Sequence, residues 1–219
     1  MTDDAPAPPN RLARRKARTR AALVRAAQDF LADGRLNAPI LEITQAADVG
    51  MGSFYNHFDS REALYSAAIT EALDSYGDWF DSLTEDLPDP AQVFAQGFRL
   101  TGRLHRIAPT LSKILLNNAS VIIGSDRGLA PRARRDIEAG IRAGRFRPRD
   151  LDPTMAVVVG AALCLGHLLH DHPERDEAGS VDQVAEDLLC MLGVSIDEAR
   201  EICALPLPTL ATPTTLGAA

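Results

Sequence analysis

Hydrophobic residues recur every three to four positions along most of the chain, which is the period of an amphipathic α-helix. The first such segment covers residues 11–33 and is expected to stop at Gly34. No stretch shows the two-residue alternation of a half-buried strand, because Val157–Val159 lies inside a longer run rich in Ala and Leu. The pattern therefore predicts an all-α protein. In the first helix the apolar face, opposite the arginines, is predicted to hold Leu12, Leu23, Val24, Ala27, Phe30 and Leu31.

Two short helices follow the first one. Residues 39–47 form one, Asp48-Val49-Gly50 interrupts the pattern, and residues 51–58 form the other. Two short helices around a three-residue break are typical of a helix-turn-helix, with the motif at about residues 39–58. By their spacing, Phe54, Phe58 and Leu64 are predicted to be core residues.

Proline, glycine and capping residues mark the later elements. A long helix is expected to start at Ser60 and to end near residue 80. The two ends of the chain, residues 1–10 and 205–219, are rich in Pro or Thr and are expected to be disordered tails. Further helices are predicted at residues 90–105, 109–119, 130–144, 153–170, 181–192 and 196–204.

Composition narrows the class of protein. The 219 residues are 46% hydrophobic and 24% charged, which suits a globular protein with a substantial core. The three cysteines, Cys164, Cys190 and Cys203, are odd in number and all lie late in the chain, so a disulfide framework is not expected. No apolar leader follows Met1, and the longest apolar run, residues 155–165, is about half of the ~20 residues that a membrane span needs. We therefore expect a cytoplasmic protein with no membrane partner.

The distribution of charge is more informative than the net charge of −7. Residues 10–28 hold seven positive charges and no negative one, whereas the rest of the chain is acidic. A basic front on an acidic body indicates that the front meets a polyanion. The alternative is a solvated, arginine-rich helix without a partner.

The segment around the second short helix carries a more specific signal. It contains Gly52-Ser53-Phe54-Tyr55-Asn56-His57-Phe58, followed by Ser60-Arg61-Glu62-Ala63-Leu64. This core resembles the helix-turn-helix of TetR-type (tetracycline-repressor-like) transcriptional regulators, and the close resemblance covers about residues 11–75. It implies a DNA-binding domain at residues 11–59 and a helical ligand-binding and dimerisation domain at residues 60–204.

The residue types suit contacts with double-stranded DNA. Gly52 lets the backbone approach the major groove, and Tyr55 and His57 can bond phosphate oxygens. Ser53 and Asn56 are candidates for base edges, while Met51 and Gln45 can touch thymine methyls or base edges. Arg61 offers a second phosphate clamp at a helix start. Arg14 and Arg18 supply longer-range attraction or a minor-groove arm.

This sequence departs from the family pattern in three places. Asp48 stands where the turn usually has Gly, and it tolerates left-handed geometry less well. Gly50 stands where Ser is usual, so it offers no hydroxyl to a phosphate. The start of the second helix lacks the usual Thr, which predicts weaker anchoring to the DNA backbone there but not loss of binding.

The resemblance implies that the remaining helices bind a small molecule and form a homodimer. The last two main helices are the expected dimer interface, with Gly160 and Gly166 allowing close approach and Val184, Leu188, Met191 and Leu192 along one side. The alternative is ordinary burial of both helices within one chain. Bulky or switchable groups on central helices are the candidate pocket residues, namely Trp79, Phe94, Phe98, Leu104, His105, Leu115 and Phe146.

Catalytic, cofactor and metal sites are not predicted. Cys164, His167 and His170 drift around their helix rather than converging on a metal. No Gly-rich phosphate loop, nucleophile elbow, HExxH or CxxC motif occurs. The sequence thus predicts a homodimeric repressor that releases a palindromic operator when a small molecule binds. The alternative functions are a helical small-molecule-binding protein and a helical enzyme, both without DNA binding.

Overall fold

The computed structural model describes residues 11–84, 86–119 and 128–208, and every regular element within those ranges is a helix. The all-α prediction is confirmed. The predicted tails, residues 1–10 and most of 205–219, lie outside the described residues. The helices are α1 (Arg11–Ala32), α2 (Ile40–Ala46), α3 (Met51–Phe54), α4 (Arg61–Thr84), α5 (Pro90–Ile107), α6 (Pro109–Asn117), α7 (Leu129–Arg142), α8 (Leu151–Asp171), α9 (Glu177–Met191) and α10 (Ile196–Ala204).

The sequence signals for helix starts and stops operate as expected at most ends. Ser60 accepts a hydrogen bond from the Ala63 amide at 3.1 Å and so caps α4. Pro90 and Pro109 each occupy the first turn of a helix. Gly34 and Gly144 both have φ of +72°, which ends α1 and α7 in the left-handed conformation that glycine tolerates.

Contacts divide the chain into two compact units, at residues 1–69 and 70–219. The division falls inside α4, ten residues after the domain boundary that we placed at residue 59. The helix is continuous from Arg61 to Thr84, so one element contributes residues to both units.

The first unit is built around the apolar face of α1. Leu23, Phe30 and Leu31 are buried, as their spacing predicts, and Gln28 donates to the Ala68 carbonyl at 3.2 Å. Leu12 was predicted on this face but is 74% exposed, because residues 11–18 all extend past the packed part of the helix. Phe54, Phe58 and Leu64 are buried, which confirms their assignment to the core.

The second unit is organised around α5, which packs against α6, α7, α8, α9 and α10. Its core includes Phe94, Phe98, Phe146 and Leu188. Phe146 stands edge to face on Phe94 with ring centroids 6.0 Å apart. The unit therefore has one continuous apolar interior, with α5 at its centre.

Among the described residues, α8 is one helix whose length and composition would suit a membrane crossing. Its most apolar 18 residues have a mean hydropathy of 1.6, yet only 33% of them are buried. The core helix of a soluble protein passes the same test. Exposed apolar area of this kind is often found at interaction sites of soluble proteins.

Candidate functional site

The turn between α2 and α3 adopts the backbone that the motif requires. Asp48 has φ of +52°, the one positive φ at a non-glycine among the described residues. The Asp48 amide donates to the Gln45 carbonyl at 3.1 Å, and the Val49 amide donates to Thr44 at 2.9 Å. The left-handed position predicted at Asp48 is therefore present, and an Asp occupies it in place of Gly.

Helix α3 is shorter than predicted. It ends at Phe54 instead of Phe58, and the chain continues in tighter turns where the Asn56 amide donates to Ser53 at 3.2 Å. The Phe58 amide still donates to the Phe54 carbonyl at 3.0 Å, which keeps both rings in the core. The prediction that the helix extends over residues 51–58 is wrong. The spacing of apolar residues does not distinguish a continuous α-helix from one helical turn followed by tighter turns.

The predicted DNA-contacting side chains lie on the surface of the first unit. Tyr55 is 59% exposed and Met51 is 42% exposed. Exposure is also high at Arg14, Arg18, Gln45, Gly52 and Asn56, whereas Ser53, His57 and Arg61 are half-buried.

Positive charge from α1 acts on His57. Burial lowers the pKa of this imidazole, and the neighbouring charges of Lys16 and Arg20 lower it further. The Arg20 guanidinium also lies over the Phe58 ring, 5.4 Å from its centroid. The basic side of α1 and the end of the motif therefore share one electropositive region.

Gly52 is not explained by the packing of its own chain. A Cβ at this position would meet no atom within 4 Å, and its φ is not in the positive range. Neither steric crowding nor backbone conformation inside the first unit requires glycine. A side chain at position 52 would therefore project into open space.

Arg61 is paired within its own helix. Its Nη2 donates to the Glu62 carboxylate at 2.8 Å. A hydrogen bond from the Glu62 backbone, and then the one from Arg61, lower the pKa of Glu62. A phosphate contact by Arg61 would have to compete with this carboxylate. Sequence reasoning missed this competition, although the two residues are adjacent in the chain.

The second unit contains an apolar cavity of about 130 Å³ between α4, α5, α6, α7 and α8. Four of the predicted pocket residues, Phe94, Phe98, His105 and Leu115, line it. Leu73, Leu129, Val158 and Leu163 are among the other apolar lining residues. The cavity therefore has the mostly apolar wall of a small-molecule site.

Three residues predicted for the pocket do not line this cavity. Leu104 is buried elsewhere on α5, and Trp79 is half-buried on α4. Phe146 fills the core between Phe94 and Gly140, where a Cβ would overlap its ring. These residues were chosen for bulk, and bulk also serves core packing.

Sequence reasoning missed a charged group at one side of the cavity. Arg132 and Asp136 line it, and Arg132 donates to Asp81 through Nη2 at 2.8 Å and to the Gly128 carbonyl through Nη1 at 3.0 Å. Arg135 donates to Asp136 at 3.1 Å and to Asp81 at 3.2 Å. The spacing of these residues could have indicated their position. Residues 132 and 136 are one helical turn apart and lie on the same side of α7 as the packed Ala133.

The pKa values of the two carboxyl groups in this cluster, Asp81 and Asp136, are shifted in opposite directions. Burial raises the pKa of Asp136, and the charge of Arg135 opposes that effect. Burial also acts to raise the pKa of Asp81, but hydrogen bonds from Arg132 and Arg135 hold it below its usual value. The otherwise mostly apolar wall of the cavity therefore includes two charged side chains, Arg132 and Asp136, each of which also has a partner within the protein.

Among the described residues, no group of three His, Cys, Asp or Glu side chains could hold a metal ion. Cys164 and His167 are exposed on α8, and His170 is instead hydrogen-bonded to Ser112 at 2.7 Å. Nothing in this arrangement brings Cys164, His167 and His170 to a common point.

Comparison with known proteins identifies the class. The family model described as "Tetracyclin repressor-like, C-terminal domain" matches residues 89–205, which is more than half of the chain. The chain belongs to the TetR family of transcriptional regulators. It is a DNA-binding regulator with a helix-turn-helix unit and a larger helical unit, and it is not an enzyme.

Individual relatives agree with this assignment. The structure of RolR in complex with resorcinol is 32% identical, with a TM-score of 0.62, covering 91% of this chain and 100% of that one. The transcriptional repressor DhaR of Mycobacterium sp. (strain GP1) is 38% identical over 63 residues, 29% of this chain, so this chain matches about a third (32%) of that curated relative's length. FadR of Bacillus subtilis with stearoyl-CoA shares the fold, with 13% identity and a TM-score of 0.65 over 78% of this chain and 97% of that one.

Proposed function

We propose that this protein is a cytoplasmic homodimeric repressor that binds a palindromic operator and releases it when a single-ring, hydroxyl-bearing aromatic molecule enters the cavity. The observation that carries the DNA part is Gly52, an exposed glycine that its own chain does not need. Close approach of a backbone to a DNA groove supplies the missing reason, because a side chain there would hold α3 away from the base edges.

The residues around Gly52 divide by the type of contact that they offer. Tyr55, His57 and Arg61 are donors for phosphate oxygens, which fix register without reading sequence. Ser53 and Asn56 are short polar groups for base edges, and Met51 and Gln45 suit thymine methyls or base edges. Arg14 and Arg18, exposed at the start of α1, add attraction that falls with salt.

Dimerisation is supported by one stripe of α8. Pro153, Val157, Gly160, Cys164 and His167 recur at three- and four-residue intervals and are exposed or half-buried. Val157 is 50% exposed, and a Cβ at Gly160 would meet no atom of its own chain within 4 Å. A stripe of small and apolar residues suits close packing against a second copy of the same helix.

Helix α9 contributes less to this surface than its sequence predicts. Leu188 and Leu192 are buried in the core of their own unit, while Met191 is 39% exposed and Val184 is half-buried. We therefore assign the dimer interface to the α8 stripe with Met191 beside it. A dimer is needed because two recognition elements must lie ~34 Å apart to read successive major grooves.

The cavity supports the ligand class. At about 130 Å³ it is close to the ~150 Å³ of an engineered apolar cavity that binds benzene. Arg132 and Asp136 offer a donor and an acceptor to a hydroxyl group of such a ring. RolR, whose structure holds resorcinol, is similar to this chain over its whole length. A ring with one or two hydroxyls therefore fits both the space and the polar groups.

A continuous helix provides a route from the cavity to the DNA-binding residues. Helix α4 contributes Leu73 to the cavity wall and begins at Arg61. A ligand that binds one position of this helix more tightly shifts the population toward that position. To change operator occupancy from 99:1 to 1:99, the ligand must prefer the releasing state by about 10⁴-fold.

The proposal is tested by fluorescence anisotropy with DNA from upstream of its own gene. The full chain should bind as a dimer, and resorcinol should dissociate the complex, whereas the two-ring 1,3-dihydroxynaphthalene should be too large for the cavity. A monomeric protein that ignores this DNA at low salt would overturn the repressor assignment. Retention of the complex with every single-ring phenol, at concentrations up to millimolar, would overturn the ligand class alone.

A further inference from the structure

A buried serine joins two histidines beside the cavity. The Ser112 hydroxyl lies 2.6 Å from Nδ1 of His105 and 2.7 Å from Nε2 of His170. Ser112 on α6 and His105 on α5 are buried, whereas His170 on α8 is half-buried and reaches the surface. The two imidazole rings stand edge to face with centroids 5.8 Å apart. Three helices thus meet in one short hydrogen-bonded chain.

Proton counting restricts this chain to two arrangements while both imidazoles are neutral. A serine hydroxyl has one proton, so it donates to one histidine and accepts from the other. If Ser112 donates to His105, then His105 carries its own proton on Nε2 and His170 donates from Nε2. If Ser112 donates to His170, then His105 carries its proton on Nδ1 and its Nε2 is an acceptor. The two rings therefore change tautomer together.

Protonation of His170 leaves only the first arrangement. A charged imidazole has a proton on both nitrogens, so its Nε2 must donate to Ser112. Ser112 must then donate to His105, which places the His105 proton on Nε2. A proton gained by His170 thus converts Nε2 of the buried His105 ring from a hydrogen-bond acceptor to a donor.

His105 itself stays neutral across the relevant pH range. Burial and the positive charges of His170, Arg106 and His167 lower its pKa to about 4. His170 faces Lys113 on α6, Arg106 on α5, and His167 and Asp171 on its own helix. Burial and the positive members of that set lower its pKa, while Asp171 raises it. His170 is also less enclosed than His105, so a positive charge costs less on His170 than on His105.

The second nitrogen of His105 is the one available to a ligand. His105 lines the cavity, and no described residue hydrogen-bonds its Nε2. Gly166 leaves room for the His105 ring, because a Cβ at position 166 would overlap Cε1 and Nε2 of that ring. In an apolar cavity without ligand, an unpaired N–H is costly. With His170 neutral, the arrangement that leaves Nε2 as an acceptor avoids that cost.

We infer that His105 is a specificity-determining residue of the cavity, and that Ser112 makes it an acceptor for a ligand hydroxyl when His170 is neutral and a donor when His170 is charged. The ligand part rests on the proposed function, since it takes the cavity as the effector site. The coupling between the two histidines does not.

Long-range ¹H–¹⁵N NMR of the imidazoles tests the coupling in the ligand-free full-length protein. As pH is lowered from 8 through the titration of His170, Nε2 of His105 should change from an acceptor shift to an N–H shift, with the same midpoint as that titration. His105 should remain neutral throughout. Constant His105 nitrogen shifts across the His170 titration would overturn the inference.

Two variants and one control separate the relay from simple electrostatics. In Ser112→Ala and in His170→Gln, the tautomer of His105 should no longer depend on pH. The control is Lys113→Gln, which removes an exposed positive charge that acts on His170 but lies outside the hydrogen-bonded chain, and it should keep the coupling. Persistence of the coupling in both Ser112→Ala and His170→Gln would contradict the role of the hydroxyl.

Calorimetry with two probes tests the specificity. Resorcinol has two hydroxyls, whereas 3-methoxyphenol replaces one of them with a group that can only accept. The preference for resorcinol should be roughly fivefold greater above the His170 titration measured by NMR than below it, the value of one neutral hydrogen bond, and pH-independent in Ser112→Ala. A pH-independent preference in the native protein would contradict the assignment of His105. If neither probe binds while NMR shows the coupling, the ligand class of the proposed function fails and the relay remains.

Discussion

Glycines at the surface and in the interior of this protein have different surroundings. Gly52 in the first unit and Gly160 on the α8 stripe of the second have open space where a Cβ would be. Gly140 and Gly166, inside the second unit, make room for Phe146 and His105 of their own chain. We interpret the open space at Gly52 and Gly160 as room for another molecule, and the filled space at Gly140 and Gly166 as core packing. In the proposed function the open glycines face DNA and a second copy, whereas Gly166 makes room for a residue that lines the proposed ligand cavity.

The largest expected effect comes from charging the α8 stripe. Val157→Asp should convert the dimer to a monomer and weaken operator binding by about 10²–10⁴-fold, because the second half-site no longer benefits from linkage. Val157 is exposed, so the fold should survive. Sedimentation velocity and anisotropy measure the two changes.

The control for this prediction is Ile141→Asp, which places the same charge at an exposed aliphatic residue of α7. It should leave both the dimer and the DNA affinity unchanged. Equal losses in the two variants, or a dimeric Val157→Asp protein, would show that the α8 stripe is not the interface.

The second effect is on acid stability and arises inside the second unit. The pKa of His105 is lowered to about 4 in the folded state, so the unfolded state binds its proton first as pH falls from 6.5. The contribution of the neutral His105 to the free energy of unfolding is therefore fully present above pH 6.5. It should fall by about 3 kcal/mol as pH approaches 4. Urea unfolding across this range should show a shallower decline for His105→Gln than for the native chain. An unchanged pH dependence would contradict the burial of a neutral imidazole.

The third effect separates ligand recognition from DNA recognition. Arg132→Gln should lower resorcinol affinity by about ten- to a hundredfold, the range for loss of a charged hydrogen bond. DNA affinity without ligand should stay the same. Arg134→Gln is the control, since Arg134 is on the same helix but pairs with Asp152 at 2.7 Å outside the cavity. Equal calorimetric losses in both variants would remove Arg132 from the ligand site.

The smallest effect sharpens the meaning of Gly52. Gly52→Ala should raise thermal stability slightly, by roughly 0.5–1 kcal/mol, because alanine favours helix. It should nevertheless weaken operator binding by about 1–3 kcal/mol, the cost of one poor base contact. Gly50→Ser should act in the opposite direction, by adding a cap and a hydroxyl for phosphate. Unchanged DNA affinity in Gly52→Ala would leave this glycine unexplained.

The sequence predicted the exposed side of the helix-turn-helix better than the wall of the cavity. The helix-turn-helix is local, so adjacent residues such as Asp48 and Tyr55 already indicate its turn and its exposed side. The cavity depends on residues far apart in the chain, such as Leu73 and Leu163, which only tertiary packing brings together. Large side chains were therefore predicted for the pocket, and Phe146 turned out to fill the core instead.

The missed charges follow the same logic. Arg132 and Asp136 look like an ordinary solvated pair in sequence, and only the packing of α7 turns them toward a cavity. Ser112 carries no sequence signal at all, since its role depends on histidines from two other helices. The length of α3 also required the fold, because burial of Phe58 occurs without a continuous helix.

The claim on which all of this depends is that an exposed turn, repeated by twofold symmetry, reads double-stranded DNA. Selection of binding sites from random duplex DNA by the full-length protein, followed by sequencing, tests it directly. The account predicts enrichment of an inverted repeat whose half-sites lie about one helical turn apart, and loss of that enrichment with Val157→Asp. Absence of any enriched sequence, or enrichment of single half-sites by the native protein, would contradict it.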